Sequence, residues 1–415
     1  MSDHQAADTG NYRWVMLTVY VLMALGLWTC WFAQAPLLNE YWGAPPLSIS
    51  VRWAGLLLSL PGLVAVVLAV ATGRWVDTIG VRRMMILSGV FGSIGFGLRP
   101  LFAASFVGQA ILTVIAGYGL CILTACLPST MIQWFGHQKG HTYIGIGAGS
   151  YFVGAGIGVL VTANLFGPLG ARGVFTVWSI VMVAVTLIWV IFARDKAQPV
   201  TAQRAAFGHE FRKVMQTGSS WLMLLYALFI SGVSVCAMQY LPGQMTVAHH
   251  LPPALAGSVV GIYAIAMGIG LAVLPALAGR IGKKRISVIL CSITLLIWLI
   301  YMIVPSWTAV SLLIFAVALG FFFEAPWATG LALLESLPGV TPANVGVAAG
   351  LWTMAVNTGV FFLPLIFGWI LASTGGAAGT GGLWAIFIGY AVSLLAMLAA
   401  RDSHIRDVEA PEPST

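Results

Sequence analysis

Twelve apolar runs, each close to the roughly 20 residues a helix needs to cross a hydrocarbon layer, leave this chain few ways to fold. They fall at about 14–38, 53–73, 84–104, 108–130, 142–165, 170–193, 220–242, 256–279, 286–305, 308–334, 344–372 and 383–400. In lipid the backbone N–H and C=O groups must be satisfied without water, and runs of this length do so as α-helices. With 60% hydrophobic and 7% charged residues, a water-soluble domain is excluded. The expected class is therefore an all-α integral membrane protein of twelve transmembrane helices.

The basic residues fix an orientation. With the amino terminus inside, sixteen of the 19 Lys and Arg fall on inner segments, and only Arg52, Arg99 and Arg172 lie toward the other side. This is the positive-inside bias. It predicts a multi-pass protein of the cell membrane with both termini cytoplasmic, and it assigns the net charge of +7 to topology, with the lipid bilayer and not a nucleic acid as partner. Cys30, Cys121, Cys126, Cys236 and Cys291 all sit within apolar runs without metal-ligand spacing, so they read as small apolar fillers. Residues 1–12 carry Asp3 and Asp8, and no small-residue cleavage site follows the first run, so that run is expected to stay in the mature protein.

The sequence also repeats itself. At an offset of 202, Ala54 and Gly55 fall on Ala256 and Gly257, Gly80 on Gly282, Arg82 on Lys284 and Arg83 on Arg285. At 201, Gly145, Gly149 and Gly158 fall on Gly346, Gly350 and Gly359. The repeat divides the chain into a tail (1–13), a six-helix unit (14–193), a polar linker (194–219), a second six-helix unit (220–400) and a tail (401–415). The linker is rich in cations. Its portion 207–215 has amphipathic spacing and could lie on anionic lipid or serve as a solvated connector. Gly145, Gly147, Gly149, Gly154, Gly156 and Gly158 in the fifth run, and Gly346, Ala349, Gly350 and Gly359 in the eleventh, are small residues at spacings that let helices approach closely.

Between the second and third runs lies GRWVDTIGVRR, residues 73–83. Gly73 and Gly80 permit a tight reversal, Asp77 is an acceptor-only anion, and Arg82 and Arg83 hold the turn at one membrane face. The pattern G-x-x-x-D-x-x-G-x-R-R resembles the corresponding loop of major facilitator superfamily (MFS) transporters. That resemblance implies two pseudo-symmetric six-helix bundles with a substrate site at the midplane between them, lined by the first, fourth, seventh and tenth helices. It also implies a conformational latch of Gly73, Asp77, Gly80, Arg82 and Arg83, in which Asp77 faces the start of the eleventh helix. Asp77 could equally pair with Arg82 or Arg83 in its own turn. The second copy has Gly279 where the first has Asp77, so the latch is expected on one side only.

Other family patterns are absent. Thr113 stands where the fourth helix of the family has the arginine of R-x-x-x-G-x-G, before Gly117 and Gly119, and the fifth run lacks the Gly-Pro of drug antiporters. Both departures count against a proton-driven drug exporter. The second, eighth and eleventh runs lack the cations with which nitrate and oxalate transporters of the superfamily bind their anions, which counts against those substrates. Within the superfamily, the stretch 20–43 with Trp28 and EYWG, Gly95 with Arg99, and Leu127–Ser129 with Trp134, Phe135 and Gly136 resemble the choline and haem carriers named after a feline leukaemia virus receptor. Leu241, Pro242 and Pro275 are similar to the cyanate and nitroimidazole permeases.

Glu324, in GFFFEAPWATG, is the sole acid deep in any run. Ionised carboxylates are costly in a membrane, so it is a functional candidate by default: a proton carrier, a counter-ion for a cationic solute, or a partner for backbone freed near Pro326. Trp28, Trp31, Gln34, Tyr118, Gln239, Tyr240 and Trp327 share the implied lining helices. Trp and Tyr faces attract organic cations, and they are also common at lipid interfaces. Arg99, near the outer end of the third run, could snorkel to the headgroups or face the pore. No nucleotide-binding G-x-x-x-x-G-K-[ST] and no H-E-x-x-H or G-x-S-x-G appears, so neither ATP hydrolysis nor an enzyme is expected. The expected function is secondary active transport of a small organic solute by alternating access. The protein is expected to be monomeric and ion-coupled, with H+ or Na+ as the ion, and to need no cofactor or metal. A non-transporting membrane sensor or an uncoupled facilitator on the same scaffold are the alternatives.

Overall fold

The computed structural model describes residues 3–196, 207–304, 306–341, 345–374 and 380–401, excepting the side chains of 3–10, 39, 51, 52, 70, 77, 137–142 and 207–210. No strand occurs among them. The transmembrane helices are α1 (Asp3–Phe32), α2 (Leu56–Ile79), α3 (Val81–Gly97), α4 (Phe106–Gly136), α5 (137–169), α6 (171–192), α7 (Gly218–Ala248), α8 (Pro253–Val273), α9 (Lys283–Ile303), α10 (Ala309–Leu334), α11 (Val345–Ser373) and α12 (Gly381–Ala399). α4 to α6 form one helical stretch broken where Gly136 (φ 76°) and Gly170 (φ 63°) turn the chain, a backbone region that side-chain-bearing residues avoid.

Element boundaries depart from the apolar runs where polar sequence stays helical or apolar sequence does not. α1 starts at Asp3, within the segment expected to be a tail, because a helix satisfies its own backbone on either side of the lipid boundary. It ends at Phe32, and Ala33–Pro36 form turns leading into a short π-helix, Leu38–Trp42. α8 tightens into a 3-10 turn at Leu274–Leu277, where Pro275 cannot continue the ladder. α10 is broken at Glu324, two residues before Pro326. In the linker the described part forms a short helix, Phe207–Val214, which packs on α11 and buries Val214 completely.

The repeat seen in sequence is a repeat in space. Gly80 between α2 and α3 has φ 93° and ψ 154°; Gly282 before α9 has φ 94° and ψ 142°. Arg82 and Lys284, aligned by that repeat, cap the last helix of their own halves. Arg82 Nη2 donates to Val190 O (3.5 Å), and Lys284 Nζ donates to Leu398 O (2.9 Å) and Ala400 O (2.5 Å). A cation on carbonyls that have run out of helical partners meets the negative end of the helix dipole.

The two bundles meet along α5 with α8 and α2 with α11. The small residues of α5 serve two neighbours: Gly154 and Gly158 lie on Leu25 and Thr29 of α1, while Gly149 and Gly156 lie on Gly268 and Gly261 of α8 in the other half. A methyl group at Gly156 or Gly149 would stand 2.4 or 2.5 Å from a carbonyl oxygen of α8, whereas at Gly145 the distance is 3.8 Å. The two helices therefore diverge toward the end of the molecule that carries the basic segments. At that end Gly73 of α2 and Gly346 and Gly350 of α11 have nothing within 4 Å of an added methyl. Gly359 of α11 packs on Leu228 of α7 within its own half.

This packing predicts contrasting effects of two alanines. Gly270→Ala would place its methyl 1.8 Å from Phe321 O and should cost about 1–3 kcal/mol as overpacking. Gly346→Ala meets open space and should leave thermal unfolding of the detergent-solubilised protein unchanged or slightly raised. Equal melting temperatures for the two variants would contradict the packing described.

Candidate functional site

Two charged side chains are buried among the described residues, Arg99 in the first half and Glu324 in the second. A buried charge costs several kcal/mol unless paired or hydrogen-bonded, so their surroundings define the candidate site.

Arg99 opens the 3-10 turn Arg99–Phe102 that follows α3, and Pro100 behind it forbids a further α-turn. Its side chain is 2% exposed, so it does not snorkel to headgroups. The guanidinium donates to Cys30 O of α1 (2.9 Å) and Thr113 Oγ1 of α4 (3.0 Å), and lies 4.5 Å from the centroid of the Phe96 ring. With the Gln34 amide turned to match its neighbours, Gln34 Oε1 accepts from both Nη1 (2.9 Å) and Nη2 (2.6 Å). The backbone is held as well, since Gln109 Nε2 donates to Arg99 O (2.9 Å) and Phe102 O (3.2 Å). Every one of these acceptors is neutral, and no carboxylate neighbours the guanidinium among the described residues. Thr113, which marked the missing fourth-helix arginine, thus receives a guanidinium from α3 instead.

Glu324 sits at the break of α10 with φ −98° and ψ −12°. Pro326 removes one N–H and displaces the carbonyls a turn earlier, and Trp327 N donates to Glu324 O (2.9 Å), leaving Phe323 O free of its helical partner. Tyrosines repair the gap: Tyr390 of α12 donates to Phe323 O (2.7 Å), and Tyr226 of α7 donates to Pro326 O (2.8 Å), which Thr329 Oγ1 also meets (3.1 Å). The backbone near Pro326 is therefore served by other side chains. The Glu324 carboxyl is 1% exposed, and its Oε2 has no partner. Ser234 of α7 stands beside it, and Tyr226, Tyr263, Tyr390 and Cys291 lie within electrostatic reach. The Tyr263 hydroxyl and the nearby α7 hydroxyl of Ser231 are buried without partners as well.

The other candidates form separate groups. Trp28 and Trp31 pack together (4.9 Å), and Trp28 stacks flat on Tyr151 of α5 (5.0 Å, 2°) with its indole N–H buried and unpartnered. Trp31 Nε1 donates to Leu58 O of α2 (3.0 Å). Gln239 Nε2 reaches Tyr240 Oη (3.4 Å) while Gln239 Oε1 has no partner, and Tyr240 donates to Pro364 O of α11 (3.2 Å). Trp327 meets Trp352 of α11 edge-on (5.9 Å). Tyr118 packs on Phe91 of α3 and Trp75 of α2, apart from the Trp28 and Arg99 groups. All five cysteines are free and buried. Sequence reasoning missed the tyrosine stitching, which no spacing announces, and the Gln34–Arg99 pair, for which a lone cation ending an apolar run was the only signal.

Of the latch residues, the Asp77 side chain lies outside the described residues, and Arg83 is exposed. The first turn of α3 is held by the same half. Arg82 N donates to Asp195 Oδ1 (3.2 Å), a carboxylate at a helix amino terminus, and Trp189 Nε1 donates to Arg82 O (3.3 Å).

Among the described residues, twelve long helices in two bundles, with buried polar groups in each, define a multi-pass membrane protein. The family model of the Major Facilitator Superfamily matches residues 16–244 and 236–414. The chain belongs to this superfamily. It is 25% identical over 382 residues to a probable nitrate/nitrite transporter, NarK2, of Mycobacterium tuberculosis, covering 88% of this chain and 89% of that protein. It is 28% identical over 130 residues to probable anion transporter 7 of Oryza sativa, a match spanning 30% of the rice protein and 31% of this chain. Among solved structures, the nucleoside transporter NupG is similar with TM-score 0.69 and 14% identity, covering 97% of this chain and 100% of that one. The E. coli fucose:proton symporter FucP is similar with TM-score 0.67 and 14% identity over 95% and 100%.

Two tyrosines beside Glu324 should behave differently when their hydroxyls are removed. Tyr226→Phe strips the cover from Pro326 O and should lower stability by about 0.5–1.5 kcal/mol, more if the carbonyl stays buried and unpaired. Tyr263→Phe removes a hydroxyl that bonds nothing and should lower it little or not at all. Thermal unfolding of the two purified variants checks the ranking, and a larger loss for Tyr263→Phe would refute it.

Proposed function

We propose that this protein is a secondary active transporter of a small organic solute, working by alternating access and coupled to an ion taken at Glu324. The observation that carries the reading is the buried, half-unpartnered carboxyl at the α10 break. Its own backbone does not need it, and an intramembrane acid is expensive to keep unless it works. The Ser234, Ser231 and Tyr263 hydroxyls around it could serve H+ or Na+. Alternating access is supported by the seam between the bundles, tight along most of α5 and α8 and open beside Gly73, Gly346 and Gly350. The open end is the basic one, which the positive-inside bias would place in the cytoplasm together with both termini and the 194–219 linker.

Trp28, Trp31, Gln34, Tyr118, Gln239, Tyr240 and Trp327 are the residues proposed for the substrate site, and Gly73, Asp77, Gly80, Arg82 and Arg83 to bias the two end states. NarK2 and the rice relative are named for anions, which brings an anionic solute into view for this chain too. The sensor alternative is tested by flux itself. Purified protein screened by thermal shift against amines, carboxylates and nucleobases yields a ligand, and reconstituted protein should carry that ligand into vesicles. Binding without flux would favour a sensor. Glu324→Gln should abolish accumulation driven by a proton or sodium gradient while exchange of the same ligand across the membrane persists. Undiminished gradient-driven accumulation by Glu324→Gln would overturn the coupling role.

A further inference from the structure

The first buried charge has no part in the coupling reading, and its setting points to a ligand. Arg99 and Gln34 come from two junctions where the regular helix has already ended: the 3-10 turn after α3, and the turn between Phe32 and Pro36 after α1. Gln34 is 0% exposed, and its one carbonyl oxygen spans both terminal guanidinium nitrogens at 2.9 and 2.6 Å. A guanidinium presents such a pair of parallel N–H groups to a planar oxyanion, and a carboxylate meets them with two oxygens where an amide offers one. The remaining contacts, Cys30 O, Thr113 Oγ1 and the Phe96 ring, hold the guanidinium in place without neutralising it. Farther along α1, the buried indole N–H of Trp28 is a second donor without an acceptor.

We propose that Arg99 is the substrate-charge recognition group of this transporter, that the solute carries a carboxylate, and that Gln34 is its stand-in. In the cycle Gln34 leaves the guanidinium and the carboxylate takes both N–H groups. Because Gln34 lies in a turn beyond the last residue of α1, its withdrawal needs no helical hydrogen bond to break. This assignment rests on the reading of the protein as a transporter. It names the solute's charge, which the coupling role of Glu324 does not.

The test is binding to purified full-length protein. Acetate, benzoate and succinate are compared with acetamide, benzamide and succinamide, and with benzylamine, by thermal shift and by titration. At least one carboxylate should stabilise the protein where its amide does not. Arg99→Gln should lose that binding by tenfold or more, and Arg99→Lys, which keeps the charge but not the fork, should recover only part of it. Gln34→Ala is the decisive variant. Without ligand it should melt lower than the natural protein, since two guanidinium N–H groups lose their acceptor, yet it should bind the carboxylate several-fold more tightly. A purely structural Arg99 would give the lower melting temperature with carboxylate affinity unchanged, and that result overturns the proposal. So would stabilisation by amides or benzylamine with none by carboxylates, even if Glu324→Gln still uncouples transport. Carboxylate binding that depends on Arg99 in a protein showing no flux would instead sustain this assignment and remove the transport reading beneath it.

Discussion

Everything in this protein follows from the need to satisfy backbone N–H and C=O groups in a medium that offers no water. Where α-helix runs unbroken, the main chain meets that need and side chains are free to be apolar. Where it breaks, other groups must step in, and polar side chains from neighbouring helices serve the freed carbonyls. The α10 break draws Tyr390, Tyr226 and Thr329 onto Phe323 O and Pro326 O. The turn after α3 draws Gln109 onto Arg99 O and Phe102 O. The two buried charges occupy those same breaks. A helix interruption in lipid is a place where polar groups are already required, so adding a functional one there costs less than planting it on an intact helix.

The second constraint is that lipid tails give no hydrophobic drive to helix association, leaving close van der Waals packing and interhelical hydrogen bonds to hold the bundles. That explains why glycines concentrate on α5 and why its contacts with α8 are backbone to backbone. A seam made mainly of close packing between small residues can slide or open with little loss of polar pairing. The widening from Gly156 and Gly149 to Gly145 is one such opening. The polar contacts capping helix ends, Arg82 to Val190 O and Lys284 to Leu398 O and Ala400 O, lie within each half. Each bundle is therefore stitched internally, while across the seam Asn164 Nδ2 of α5 donates to Ser258 Oγ of α8 (2.8 Å) at an exposed position.

How much of this was legible in the sequence depended on whether a signal is local. Helix number, the two halves and the matched turns at Gly80 and Gly282 followed from run length and a repeat offset, because period and spacing record the demands of lipid directly. Glu324 was legible because one acid in an apolar run has no cheap explanation. Helix ends were less so, since α1 begins in polar sequence at Asp3 and breaks before Gln34 within an apolar run. The ring contacts of Tyr118 with Phe91 and Trp75 join three helices, and no spacing announces them. Gln34 meeting Arg99 across 65 positions is a tertiary fact. No periodicity encodes it, and the missing arginine at Thr113 becomes informative only when the guanidinium from α3 is seen to reach that threonine.

The placement of one buried charge in each half has an energetic logic for transport. Moving a lone monovalent anion across a membrane against an opposing potential costs about 2.3 kcal/mol per 100 mV, and a site that binds only the anion leaves that cost in place. A protein that takes a carboxylate at Arg99 and a proton at Glu324 carries no net charge beyond that of its empty form with Arg99 cationic and Glu324 ionised. The two ligands would also need no contact with each other, since one would neutralise a buried guanidinium in the first bundle and the other a buried carboxylate in the second. With only one ligand bound, one of the two buried charges would stay uncompensated, which would penalise slippage of ion or solute alone. On the proposed reading, coupling would arise from the desolvation of two charges, each held among groups of its own half.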